Sequence, residues 1–75
     1  MFITLQTDFN GCSLFVVRIE DISDIDIAIM PNGEYGVRLK RYNEDWRCLT
    51  LKSSREKAEL YLRELMYKIE LAART

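Results

Sequence analysis

Apolar and polar residues alternate with a period of two over much of the first two thirds of the chain, which is the pattern of β-strands. Residues 2–7 and 13–20 carry this signal, and the segment between them contains Asn10-Gly11, a pair that favours tight hairpin turns. The sequence therefore predicts a first β-hairpin. Residues 14–17 are apolar on both faces, so alternation leaves the register of this hairpin open and favours a central position for its second strand.

Residues 24–29 predict a strand with two unlike faces. The apolar face carries Ile25, Ile27 and Ile29, and the other face carries Asp24 and Asp26. The following residues, Pro31-Asn32-Gly33-Glu34, predict a turn.

Two more strands follow this turn and are joined by a second turn at residues 43–45. In the first of them Val37 and Leu39 form an apolar face, and the opposite face carries Arg38, Lys40 and Tyr42. The second strand covers residues 46–52. The open face of the predicted sheet, turned away from the apolar face, also includes Trp46, Cys48 and Thr50.

The apolar positions also predict which residues lie opposite each other. In the last hairpin both faces agree on these pairs: Val37 with Leu51, Leu39 with Leu49, Arg38 with Thr50, Lys40 with Cys48, and Tyr42 with Trp46. In the preceding hairpin the predicted pairs are Ile29 with Val37, Ile27 with Leu39, and Asp26 with Lys40. That register requires a three-residue loop, Asn32-Gly33-Glu34, with Gly33 in the left-handed conformation.

A long C-terminal helix follows the last strand. Ser53 and Glu56 form a capping-box signature, and good helix formers dominate through Arg74. One side of this helix is apolar and is expected to cover the sheet; it comprises Ala58, Tyr61, Leu62, Leu65, Ile69 and Ala72. The predicted fold is a two-layer α+β domain spanning residues 1–75, in which an antiparallel β-meander of four to five strands packs against one long C-terminal helix.

Composition narrows the classes of function. Seventy-five residues, 48% of them apolar, provide one core, and the lack of histidine excludes imidazole-based catalysis and His-containing zinc sites within this chain. Cys12 and Cys48 have neither redox nor zinc-motif spacing, so we expect reduced thiols. No phosphate-binding loop or catalytic acid pair stands out, which favours a non-enzymatic protein without cofactor or metal. The sequence also lacks a secretory signal and an apolar run near the roughly 20 residues of a membrane span, which predicts a cytoplasmic protein.

The open face of the sheet is the first candidate binding surface. Its predicted residues are Arg38, Lys40, Tyr42 and Trp46, with Asp24 and Asp26 beside them. Tyr42 and Trp46 could form a structural cross-strand pair, or this face could bind another protein. A further hypothesis is a single-stranded nucleic acid, with bases stacked on the two rings and phosphates bound by Arg38, Lys40, Arg41 and Arg47.

The net charge of −1 is divided unevenly along the chain. Residues 1–36 hold six acids and one base, whereas residues 37–75 hold ten bases and six acids. Four of the acids lie close together in sequence: Glu20, Asp21, Asp24 and Asp26. They lack the spacing of a calcium loop, which favours a solvated edge, and a second hypothesis is that they occupy a basic groove on another protein.

Three apolar residues remain on the far side of the helix: Leu60, Tyr67 and Leu71. They are either scattered surface residues or the contact surface of a symmetric dimer, in which a small core would gain burial. The sequence favours a small protein-binding regulator or inhibitor that acts as a homodimer. The alternatives are a single-strand nucleic-acid binder and a structural subunit of a larger assembly.

Overall fold

The computed structural model describes residues 1–7 and 14–74, which form two antiparallel sheets and one long helix. The first sheet consists of β1 (Phe2–Gln6) and β2 (Leu14–Arg18). After a 3₁₀ turn at Ile19–Asp21, the second sheet has the order β3 (Ile22–Ile29), β4 (Tyr35–Arg41) and β5 (Arg47–Lys52). Helix α1 (Arg55–Arg74) ends the described chain and contacts β1, β3, β4 and β5. The predicted α+β fold with a C-terminal helix on the sheet is confirmed.

The first hairpin is present, with Ile3 opposite Val17 and Leu5 opposite Phe15. These four side chains are buried, so the inner face of the hairpin joins the core. Within residues 1–7 and 14–74, β2 pairs with β1 alone, and the predicted central position of this strand is wrong. Its second apolar face lies in solvent instead of under another element. The predicted turn at Asn10-Gly11 lies outside the described residues.

The β3–β4 hairpin keeps the predicted faces but not the predicted register. Ile27 lies opposite Val37 and not Leu39, a difference of two residues. The loop has the expected length but comprises Pro31-Asn32-Gly33, with Gly33 in the left-handed conformation at φ 86°. Pro31 has no N–H and a φ suited to the first corner of a turn. The ladder therefore closes one residue earlier, where the Met30 N–H donates to the Glu34 carbonyl oxygen at 2.8 Å.

A β-bulge displaces the β4–β5 register. Val37 lies opposite Thr50, but Arg38 lies opposite Cys48, so Leu49 is an extra residue in β5. Both Leu49 and Thr50 are buried. The predicted place of Thr50 on the open face is therefore wrong, and so is the core position of Leu51, which lies opposite Gly36 on the open side.

Thr50 carries a buried hydroxyl without a hydrogen-bond partner within the described part of the chain. Replacing it by valine keeps the shape of the side chain and removes the cost of the unpaired oxygen, so we expect Thr50→Val to stabilise the fold by about 1 kcal/mol. The same change at Thr4, which is exposed on β1, is the matched control and should shift stability by less than about 0.5 kcal/mol. Urea unfolding followed by circular dichroism measures both. A destabilised Thr50→Val variant would contradict this assignment.

Helix α1 begins one residue later than the sequence indicated. The Ser54 hydroxyl accepts the Lys57 N–H at 3.3 Å, so Ser54 and not Ser53 is the N-cap. The predicted apolar side does face the core, with Ala58 and Leu65 buried. Tyr61 also donates its hydroxyl to the Gln6 carbonyl oxygen at 2.7 Å, which ties the helix to the first hairpin. Across residues 1–7 and 14–74, no helix has the length and apolar character needed to cross a bilayer.

Candidate protein-binding surfaces

The open face of the three-stranded sheet is organised around Arg38. Its Nε donates to Asp26 Oδ1 at 2.9 Å and its Nη2 donates to Asp26 Oδ2 at 2.6 Å, which forms a forked, charge-assisted pair. These hydrogen bonds hold the pKa of Arg38 above its ordinary value. Because Asp26 lies opposite Arg38 on the neighbouring strand, the β3–β4 register directly sets this contact.

Trp46 completes a three-residue cluster with Asp26 and Arg38. The guanidinium carbon of Arg38 lies 4.4 Å from the centroid of the Trp46 ring, which is a cation–π contact. Arg38 thus links strand β3 to the segment that enters β5. The sequence placed these residues on one face, but it paired Asp26 with Lys40 and Trp46 with Tyr42. Both pairings are wrong, because the registers differ from those predicted.

Tyr42 lies past the end of the ladder, since β4 ends at Arg41 and β5 begins at Arg47. Its backbone N–H donates to the Asp21 carbonyl oxygen at 2.9 Å, while its side chain is exposed. The next residue, Asn43, adopts a positive φ of 66° and turns the chain away. Tyr42 is thus available at the rim of the open face.

Lys40 lies opposite Asp24 on the same open face. The Asp24 Oδ2 atom accepts a hydrogen bond from the Ser23 hydroxyl at 2.8 Å. Together with the Asp26–Arg38 pair, this gives the face two rows in which an acid opposes a base. The open face is therefore close to charge balance.

Arg41 and Arg47 lie apart from the open face. Their guanidinium carbons lie 5.4 and 4.2 Å from the centroid of the Phe15 ring, which is buried in the core. Arg41 also forms an ion pair with Glu44. Arg41 and Arg47 therefore contact the first hairpin through Phe15, whereas Arg38 and Lys40 lie on the open face beside the acids of β3.

A cleft of about 850 Å³ adjoins Trp46. The guanidinium groups of Arg38, Arg41 and Arg47 and the carboxyl groups of Glu44 and Asp45 belong to residues that line it. Four of these charged groups already serve contacts within the chain, namely those of Arg38, Arg41, Glu44 and Arg47. The cleft is therefore a mixed-charge recess at the edge of the open face.

The four acids near β3 have different surroundings. The Glu20 carboxylate accepts hydrogen bonds from the N-terminal ammonium group at 3.0 Å and from Arg18 Nε at 3.3 Å. These contacts, of which the one with the ammonium group has the larger effect, hold the pKa of Glu20 below its ordinary value. Asp26 is bound by Arg38. Asp24 is exposed on β3, whereas Asp21 lies before the strand in the 3₁₀ turn and is partly buried.

The helix stripe, defined as Leu60, Tyr67 and Leu71, is exposed as predicted. Its side chains are 58%, 62% and 44% exposed. Met66 is 49% exposed on another side of the helix, where it borders β3. Because the opposite side of α1 covers the core, this stripe faces away from the sheet and is available to a partner.

Two exposed apolar surfaces were not predicted from the sequence. The outer face of the first hairpin exposes Phe2, Leu14 and Val16. Ile22 and Ile25 of β3 border a groove beside α1. The two-sided apolar pattern of residues 14–17 was the available signal for the first surface, but it indicated burial equally well. The groove forms because α1 covers β3 only in part, and sequence periodicity carries no information on how far one element covers another.

Other chemistry-bearing groups are few. The Cys48 thiol donates to the Thr50 carbonyl oxygen at 3.5 Å, while Cys12 lies outside the described residues. Within the described ranges, no three Cys, Asp or Glu side chains are grouped so that they could hold a metal ion. Comparison with known proteins gives no matching family model and no match among curated proteins or solved structures.

Proposed function

We propose that this chain is a small cytoplasmic protein-binding module, a regulator or inhibitor that acts as a homodimer. The observation that carries the proposal is the exposed helix stripe of Leu60, Tyr67 and Leu71. A domain of this size gains little stability from its own core, and burial of a second apolar surface adds to it. Two copies of one helix are the simplest way to cover such a stripe.

The charges beside the stripe complement an antiparallel copy. When Leu60 lies opposite Leu71 of the second copy, Arg63 comes close to Glu70 of that copy, and Glu64 comes close to its Lys68. Two-fold symmetry makes each contact twice. Opposite charges beside an apolar seam favour one orientation of two helices.

A parallel arrangement of the same helices would bring like charges together. It would place Lys57 against Lys57 of the second copy and Glu64 against its Glu64, and it would bring Arg63 toward Lys68. Each of these contacts joins like charges. The antiparallel register has one like-charge contact, Lys57 with Arg74 of the second copy, against the two complementary ones, whereas these parallel contacts all join like charges. The antiparallel dimer is therefore the one we propose.

This dimer leaves the open face of each sheet accessible, because α1 covers the other side of β3, β4 and β5. The Asp26–Arg38–Trp46 cluster would then offer a fixed, charge-balanced surface to another protein. Aromatic and arginine side chains are the groups most often found at the centres of such interfaces. Tyr42 and Lys40 extend the surface at its rim.

The proposal is tested by the mass of the chain in solution. Sedimentation equilibrium over a range from about 5 to 500 μM should show the mass rising from 8.9 kDa toward twice that value, because a contact of helix-stripe size is expected to be weak and reversible. High salt should weaken the association, because it screens the attraction between the charged residues beside the stripe. A mass that stays at 8.9 kDa over the whole range rules out the dimer.

A further inference from the structure

The outer edge of β3 is a second place where a partner could bind. In residues 1–7 and 14–74, β3 has a single strand neighbour, β4. An antiparallel strand directs about half of its N–H and C=O groups to each side. A bulge at Ser23 interrupts the pattern, so a regular unpaired edge extends from Asp24 to Ile29.

An apolar groove runs beside this edge. It has a volume of about 390 Å³ and is lined mainly by Ile19, Ile22, Ile25, Met66 and Ile69. Ile25 is only half-buried, although Leu39, opposite it on β4, is fully buried. Helix α1 therefore leaves space over the outer part of β3, where a further apolar side chain would contact apolar walls.

The opposite side of the same strand carries Asp24 and Asp26, whose neighbours on β4 are Lys40 and Arg38. Asp24 is exposed there, and Asp21 precedes the strand. A second copy of β3 added antiparallel to this edge would set acids against acids, which disfavours self-pairing. A strand that carries basic side chains at alternate positions would instead meet Asp24 with the opposite charge.

We propose that the β3 edge binds an extended segment of another protein in which apolar residues alternate with lysine or arginine. The segment adds a strand to the sheet, with its apolar side chains toward Ile25 and Met66 and its basic side chains toward Asp24. This inference rests on the proposed protein-binding function and names the class of partner. It uses a surface separate from the helix stripe.

The test is a titration with synthetic octapeptides at low salt. A capped peptide of alternating lysine and isoleucine should bind and should slow hydrogen exchange of amides in β3. The control peptides are an alternating glutamate and isoleucine peptide and a Lys-Lys-Ile-Ile repeat, which has the same composition without the alternation. Both should bind at least fivefold more weakly, since like charges or a broken alternation remove the cross-strand pairs.

The variant Asp24→Lys should reverse the preference between the lysine and glutamate peptides, and Asp24→Asn should reduce it. Both changes are on an exposed side chain, so the fold should persist. Absence of binding up to 1 mM, or slowed exchange elsewhere than in β3, overturns the inference. The mass of the chain in the same samples tests the dimer independently of the β3 site. A dimer that does not bind the peptides contradicts only the β3 site, and a monomer that binds them contradicts only the dimer.

Discussion

Leu65→Ala should lower the free energy of unfolding by about 3 kcal/mol. Leu65 is 3% exposed and belongs to the core formed by both sheets and α1. The substitution removes buried methyl groups and leaves a cavity that the surrounding strands fill only in part. Since a domain of this length has only about 3–5 kcal/mol of stability, the variant should be close to unfolding at room temperature.

Leu60→Ala is the matched control for this prediction. It is the same substitution on the same helix, so the change in helix propensity cancels, but Leu60 is 58% exposed. We expect a change below about 0.5 kcal/mol. Urea denaturation at a few micromolar, where association through the stripe is slight, measures both variants. Equal losses at the two positions would mean that α1 does not face the core as the structure shows.

Sequence periodicity predicted which segments are strands and which is helix. The alternation of Ile25 and Ile27 with Asp24 and Asp26 identified both faces of β3, and the face of α1 that contains Leu65 was correct. These features depend on the geometry of single elements, which the sequence records directly. The elements and their faces are therefore the part of the fold that is predictable.

The pairing between strands was less predictable. The bulge at Leu49 depends on how β5 fits beside β4 under the helix, and alternation alone favours a regular ladder. The β3–β4 register could have been predicted, because Pro31 has no backbone N–H to donate to the neighbouring strand and therefore belongs in the loop. A two-residue error keeps every side chain on its face, so the apolar pattern did not detect it.

The candidate site shows the same division. Asp26, Arg38 and Trp46 were placed on one open face, but their mutual contacts depend on register and could not be derived. Arg41 and Arg47 were assigned to that face because they neighbour it in sequence. They lie over Phe15 because the first hairpin forms its own sheet and brings this ring to the edge of β4 and β5.

The largest expected effect on association comes from Leu60→Glu combined with Leu71→Glu. In the proposed dimer each leucine lies opposite the other, so two-fold symmetry places four carboxylates where four leucines were. Loss of about 3 kcal/mol of apolar burial weakens the dimer by more than 100-fold, even before repulsion between the carboxylates. Sedimentation equilibrium measures the change. The variant should keep its far-ultraviolet circular dichroism, since both positions are exposed in the single chain.

Reversing one charge beside the stripe distinguishes a specific antiparallel dimer from association that depends on apolar burial alone. Arg63→Glu places a carboxylate near Glu70 of the second copy, and the two symmetric contacts should weaken the dimer about fivefold. Adding Glu70→Arg to the same chain restores opposite charges across the seam and should recover most of the loss. In a parallel dimer Arg63 would lie near Lys68 instead, so Arg63→Glu would tighten the association. A tighter dimer would therefore refute the antiparallel register, and an unchanged one would show that the charges beside the stripe do not guide pairing.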